Sequence, residues 1–296
     1  MAAQSQQDLE SLALEDPTSR PLALLQIEAL RAGSDPVWEA AATALERRPP
    51  SSAVPAIHQS QIPVDRKKLA QLTNQLIGTL KAAVTFDTVT VPDAISDESS
   101  QALIQAIING DDAGLHRVAE AHQTDPAILA TIGHCASLPL LLAIGQRVGA
   151  ERNADFGWQP GYCPVCGSWP TLAEARGLER QQWLRCGRCA ASWRTAHQRC
   201  VFCENTNHQQ LGYMAPEAER ESRRATTCEQ CKGYLKVFAT VSPYSIEDIL
   251  RQDLASLELD IAAIDQGYTR PDRPGFPIQV ELVARRPGNG RWFPWR

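Results

Sequence analysis

Eight of the nine cysteines in this 296-residue chain stand in four Cys-x-x-Cys pairs: Cys163/Cys166, Cys186/Cys189, Cys200/Cys203 and Cys228/Cys231. No other feature restricts the fold as strongly. Two thiolates two residues apart reach one ion from a single tight turn, and two such turns complete a tetrahedral four-sulfur site. One pair alone would suit redox chemistry equally well, whereas four in tandem predict two metal sites.

The intervals group the pairs. Nineteen residues separate Cys166 from Cys186, and 24 separate Cys203 from Cys228. Both intervals fit or slightly exceed the spacing of a two-knuckle ribbon. A sequential assignment places Cys163, Cys166, Cys186 and Cys189 on one ion and Cys200, Cys203, Cys228 and Cys231 on the other. The alternative is an interleaved cross-brace in which the first and third pairs share an ion. Four thiolates accept Zn(II), mononuclear iron or an Fe–S cluster, so spacing does not choose the metal. A closed structural site is the plain reading of such ligands; a redox role for one pair is the other.

The surrounding sequence places these turns in an α+β chain. The first half reads as an all-helical domain, residues 1–160. Leu22, Leu24, Leu25, Ile27 and Leu30 crowd a segment that stops at Gly33. Asp35-Pro36 is an N-cap followed by proline at the first helical position. Four prolines and three serines between Arg48 and Pro63 predict an extended crossing segment. Lys68 to Val84 carries leucines at helical spacing, and further helices are expected over Asp97–Asn109, Asp112–His122 and Asp125–Gln146. Beyond Gly161 the texture changes to short strands over Gln181–Arg185, Ser192–Thr195 and Tyr234–Thr240, each next to a cysteine pair. That is how a rubredoxin-like or zinc-ribbon knuckle is built. Residues 161–196 and 197–242 are therefore expected to form two small four-cysteine units that depend on an ion for folding. Ile246, Ile249, Leu250, Leu254, Leu257 and Ile261 predict one C-terminal helix within residues 243–296. The Gly-, Pro- and Arg-rich run from Arg285 reads as a loose tail.

Charge and motifs narrow the function classes. The net charge of −5 argues against a general polyanion binder. It divides unevenly, −8 over residues 1–160 and +4 over 161–240, so the cysteine-rich part is mildly basic. Arg176, Arg180, Arg185, Arg188, Arg194 and Arg199 are candidates for a basic docking face or for an ordinary solvated surface. Trp169, Trp183 and Trp193 are expected to cover the sulfurs, with base stacking the lesser reading. His197 is a supporting residue, since eight thiolates already complete two sites. Cys135 reads as a small buried hydrophobe. Met1 to Ser11 is polar and unlike a secretory signal, and the apolar stretch around Leu138–Ile144 is too short to span a bilayer. A cytoplasmic protein is expected. The chain shows neither a phosphate-binding glycine loop, nor a nucleophile elbow, nor a metalloprotease helix.

Tyr162-Cys163-Pro164-Val165-Cys166-Gly167-Ser168, Leu184-Arg185-Cys186-x-x-Cys189 with Trp193, the two later pairs, and Asp253 to Asp260 followed by Gly267-Tyr268 together resemble the FdhE family of formate dehydrogenase accessory proteins. The resemblance is specific over 162–268 and general before it. It implies a cytoplasmic assembly factor, not an enzyme, that associates with the catalytic subunit of formate dehydrogenase. It implies rubredoxin-type iron, that is, two mononuclear tetrathiolate sites, with zinc as the alternative. Carried over residue by residue, the eight paired cysteines are the ligands. Nucleic-acid binding and membrane insertion are not implied, and homodimerisation is left open. Within the family reading the metals serve either as a scaffold for partner binding or as a redox centre that protects an oxygen-sensitive partner.

Overall fold

The structure, a computed structural model, describes residues 2–46, 51–84, 90–149, 157–195 and 198–285. The helical half contains α1 (Ala2–Glu15), α2 (Arg20–Ala32), α3 (Pro36–Ala44), α4 (Arg66–Ala83), α5 (Asp97–Asn109), α6 (Asp112–Ala121) and α7 (Pro126–Gly149). Their starts follow from short acceptor side chains. Asp35 accepts the N–H of Val37, Asp65 those of Lys67 and Lys68, Ser96 that of Ser99, and Asp111 that of Gly114. α5 ends where Gly110 turns left-handed at φ 64°.

α7 is longer than the apolar stretch within it suggests. At 24 residues it is long and apolar enough, by length and composition, to cross a membrane. Here α2, α3, α4, α5 and α6 pack around it instead, and Leu129, Ile132, Leu140, Leu141 and Ile144 are fully buried.

The cysteine-rich half forms one sheet rather than two separate ribbons. Its strands are β2 (Leu172–Arg176), β3 (Gln181–Arg185), β4 (Ser192–Arg194), β5 (Leu211–Met214), β6 (Arg223–Cys228) and β7 (Tyr234–Thr240), in the order β4-β3-β2-β7-β6-β5. The join is parallel: Ala173 pairs with Val237 and Arg176 with Thr240. The expected strands at Gln181–Arg185, Ser192 onward and Tyr234–Thr240 are present; β2, β5 and β6 are additional.

Two expectations need correction. The single C-terminal helix is two, α8 (Ile246–Leu254) and α9 (Leu257–Asp265), broken where buried Ser256 donates its hydroxyl to the carbonyl of Gln252. The break rotates the buried face, so Leu259 and Ala263 point inward and Ile261 is 59% exposed. The proline-rich crossing segment contains a strand, β1 (Gln61–Val64), paired in parallel with β8 (Glu281–Ala284). Ahead of β1, Ala56 and Ile57 donate their N–H groups to the carbonyls of Pro164 and Val165. The chain leading into the expected tail is therefore built in: Ile278, Val280 and Leu282 are buried, and Gln101 and Asn109 of α5 donate to its carbonyls. Residues 286–296, the rest of that tail, lie outside the described residues.

Candidate metal centres

Each Cys-x-x-Cys pair sits on a turn with the same wiring. The N–H of the first cysteine donates to the carbonyl five residues on: Cys163 to Ser168, Cys186 to Ala191, Cys200 to Asn205 and Cys228 to Gly233. The residue four after it is left-handed in all four turns: Gly167 at φ 71°, Ala190 at 59°, Glu204 at 64° and Lys232 at 56°. Only the first is glycine, so three turns hold a conformation that an L side chain disfavours. That shape aims both thiols and nearby N–H groups at one point. Val165 donates to Cys163 Sγ at 3.4 Å, and Asn205 Nδ2 to Cys228 Sγ at 3.7 Å.

The turns converge in sequential pairs. Cys163, Cys166, Cys186 and Cys189 form one group and Cys200, Cys203, Cys228 and Cys231 the other, with the sulfurs in each group within 4.8 Å of one another. Sulfur–sulfur separations are 3.5 Å for Cys163–Cys189 and 3.6 Å for Cys166–Cys186. In the second group they are 3.6 Å for Cys200–Cys231 and 3.7 Å for Cys203–Cys228. A tetrahedral site with metal–sulfur bonds of about 2.3 Å has edges of about 3.8 Å, so both donor sets fit a four-coordinate ion. The interleaved cross-brace is not the arrangement found.

The electrostatics point the same way. Burial pushes the Cys163 thiol well above the usual range, while hydrogen bonds from Cys163, Cys186 and Cys189 hold Cys166 well below it. Burial also opposes ionisation of Cys228, yet N–H groups of Cys231 and Gln230 and the Asn205 amide hold it down to about 7. Four thiolates this close repel one another, and a cation at their centre relieves that repulsion.

Other candidates resolve individually. Cys135 is buried on α7, which pushes its thiol up to about 12, as expected for an inert hydrophobe. His197 lies outside the described residues. Trp193 is buried, whereas Trp169 meets Phe202 edge-on at 5.2 Å and so bridges the two units. Trp183 is no free stacking platform, because Arg176 and Arg194 lie over its ring at 4.4 and 5.1 Å.

The arginines do not make a common docking face. Buried Arg185 is paired with fully buried Glu174 and donates to the carbonyl of Tyr244. Arg188 donates to Ser168 Oγ at 2.9 Å and to the Ile107 carbonyl of α5 at 3.1 Å, tying the first cluster to the helices. Arg180 pairs with Glu221 at 2.8 Å, and Arg199 with Glu204.

Sequence reasoning missed the glycines that let the halves meet. A Cβ on Gly145 of α7 would stand 1.9 Å from the Cys189 carbonyl, and one on Gly161 1.8 Å from that of Val201. The helix thus rests directly on a cysteine turn. A glycine late in an apolar helix is the only local sign of such an approach. Nearby, a cleft of about 670 Å³ opens between α7, Trp169, Arg188, Phe202 and Arg270, a space that no local pattern announces.

Comparison with known proteins agrees with this geometry. Residues 198–274 match the FdhE C-terminal domain. The chain is 31% identical over 138 residues to protein FdhE of Escherichia coli (strain K12), covering 46% of this chain and 44% of that protein. It is 30% identical over 139 residues to the FdhE homolog of Aquifex aeolicus, covering 46% of this chain and 47% of that protein. These matches span somewhat less than half the length of the curated relatives. The crystal structure of the FdhE protein from Pseudomonas aeruginosa shares the fold, with a TM-score of 0.53 and 21% identity over 93% of this chain and 95% of that one.

Proposed function

Residues 198–274 of this chain are FdhE-family sequence within the fold of an FdhE protein, and from there we propose that the chain is an accessory protein in formate dehydrogenase assembly, not an enzyme. It binds the catalytic subunit of that enzyme in the cytoplasm until the subunit is complete. The eight paired cysteines hold two ions, iron in the first instance and zinc as the alternative. The observation that carries this reading is the convergence of four cysteine turns on two four-sulfur groups of tetrahedral dimensions.

When bound, the ions cross-link turns that are distant in sequence. The residues around them do the positioning: N–H groups of the turns at Cys163, Cys200 and Cys228 favour the charged sulfurs, and Arg188 anchors the first group to α5. Partner recognition then falls to the surface of this scaffold. Arg185 and Arg188 are not part of that surface, because both are engaged internally.

Two measurements test the proposal. Protein purified without oxygen should contain two ions per chain, with ferric–thiolate absorption after oxidation if the metal is iron. Immobilised protein should retain the cofactor-free catalytic subunit of formate dehydrogenase more strongly than the finished enzyme. Retention of neither form would remove the assembly role. One observation favours a redox reading in its place: Cys231, in the second group, is exposed. A variant there that folds and binds the subunit but fails to support active enzyme would select that reading.

A further inference from the structure

The two clusters share a donor set and differ in setting. Cys163, Cys166, Cys186 and Cys189 are 0, 2, 0 and 1% exposed and belong to the main hydrophobic core, together with Leu140, Leu141 and Ile144 of α7. Around them the Gly145 backbone abuts Cys189, and Ile278 of the C-terminal segment closes on Gly167. Moving any of these sulfurs off an ion requires opening the core. In the second cluster Cys231 is exposed and Cys203 is half-buried. None of its four cysteines belongs to a hydrophobic cluster among the described residues. A hollow of about 300 Å³, lined by Phe202, Tyr213, Leu235, Arg199 and Arg224, also reaches Cys200 and Cys228 from the sheet face. This cluster is therefore approachable from two sides, one of them flanked by the Arg224 guanidinium, which favours an incoming anion.

A tetrahedral thiolate site exchanges ligands when an external donor approaches and a resident sulfur moves away. Both movements are open at the second cluster and blocked at the first. We infer that the second cluster is a ligand-exchange site at which an external thiol displaces Cys231, while the first retains its ion as part of the core. In that step the metal–Sγ bond of Cys231 breaks as the bond to the incoming sulfur forms. The proton of the incoming thiol passes to Cys231, and the metal keeps its oxidation state. The inference rests on both clusters holding metal, as proposed above.

The test uses the full-length protein shown to carry two ions. It is challenged with 2-mercaptoethanol in the presence of the chromophoric chelator 4-(2-pyridylazo)resorcinol, while iodoacetamide pulses are mapped by mass spectrometry. One ion should leave at least about tenfold faster than the other, as expected when local opening competes with opening of the core. The fast phase should accelerate with thiol concentration. Alkylation should appear first at Cys231 and then at Cys203, with the four cysteines of the first cluster unmodified. Cys231→Ser should keep one ion and the helical circular dichroism of the parent. Release of both ions in one phase, or alkylation of Cys163 or Cys189 in step with Cys231, overturns the inference even if the variant fails to fold. Protein isolated with fewer than two ions would instead overturn the metal assignment itself, and this inference with it.

Discussion

Glu174 lies fully buried on β2, its carboxylate shared by the guanidiniums of Arg185 and Arg176 and by the N–H of Tyr244 at 3.0 Å. Removing one partner of such a group leaves the other charge desolvated and unpaired. Glu174→Ala should therefore destabilise the protein by about 3–5 kcal/mol in urea titrations, far more than an exposed pair would. A second network ties β7 to the C-terminal helices. Lys236, fully buried, meets Asp253 and Asp260 at 2.7 Å each, and Arg270 meets the same two acids at 2.8 Å. Burial raises the Asp253 pKa, but Arg270 and Lys236 more than reverse that, so the folded value lies below the ordinary one. A depressed carboxylate pKa stabilises the fold above the unfolded value and loses that contribution as pH falls through the folded value. The deficit of Asp253→Asn against the parent should thus be largest above the ordinary carboxylate range and shrink as the pH falls below it in melting experiments. Neither network was legible in the sequence, because a lysine or glutamate in a short strand reads as solvent-facing until something covers it.

At the scale of elements, α3 to α6 were legible to within about two residues because their caps lie within three residues of their starts, whereas α1 was not anticipated and the C-terminal helix proved to be two. Asp35, Asp65, Ser96 and Asp111 each accept an N–H two or three residues on. The strands were less legible, since β2, β5 and β6 depend on partners far along the chain. The contact between α7 and the first cluster is a prediction in itself. Gly78, on the exposed face of α4, has nothing within 4 Å of an added Cβ, whereas Gly145 faces the Cys189 carbonyl at 1.9 Å. Gly78→Ala should stabilise by about 0.5–1 kcal/mol through helix propensity. Gly145→Ala, the same change of residue, should destabilise by about 1–3 kcal/mol and loosen the first cluster's hold on its ion. Chemical denaturation with metal analysis separates the two outcomes, and equal behaviour would refute the contact.

The core of the whole molecule runs without interruption from Leu25 and Trp38 through α7 to the first four cysteines and on to Val237 and Ile278. The C-terminal segment seals it. Thr269 donates to the carbonyl of Lys232 at the second cluster, Phe276 to that of Gly167 at the first, and β8 then pairs with β1 among the helices. Loss of helix, followed by far-UV circular dichroism, should therefore coincide on heating with release of the first cluster's ion. The second cluster lies outside that core, so its ion should leave earlier. Two unlinked helical and sheet transitions would contradict a shared core.

The eight cysteines, their grouping and the starts of α3 to α7 were readable beforehand because each depends on residues a few positions apart or on a short loop closing on itself. Burial is different, since it depends on which distant segments come to lie over a side chain. Packing of α7 and the C-terminal segment enclosed one four-sulfur group and left the other open. The same packing turned Arg185 and Arg188 from candidate surface charges into internal ties. No local pattern carries that information, because the atoms that exclude water come from opposite ends of the chain.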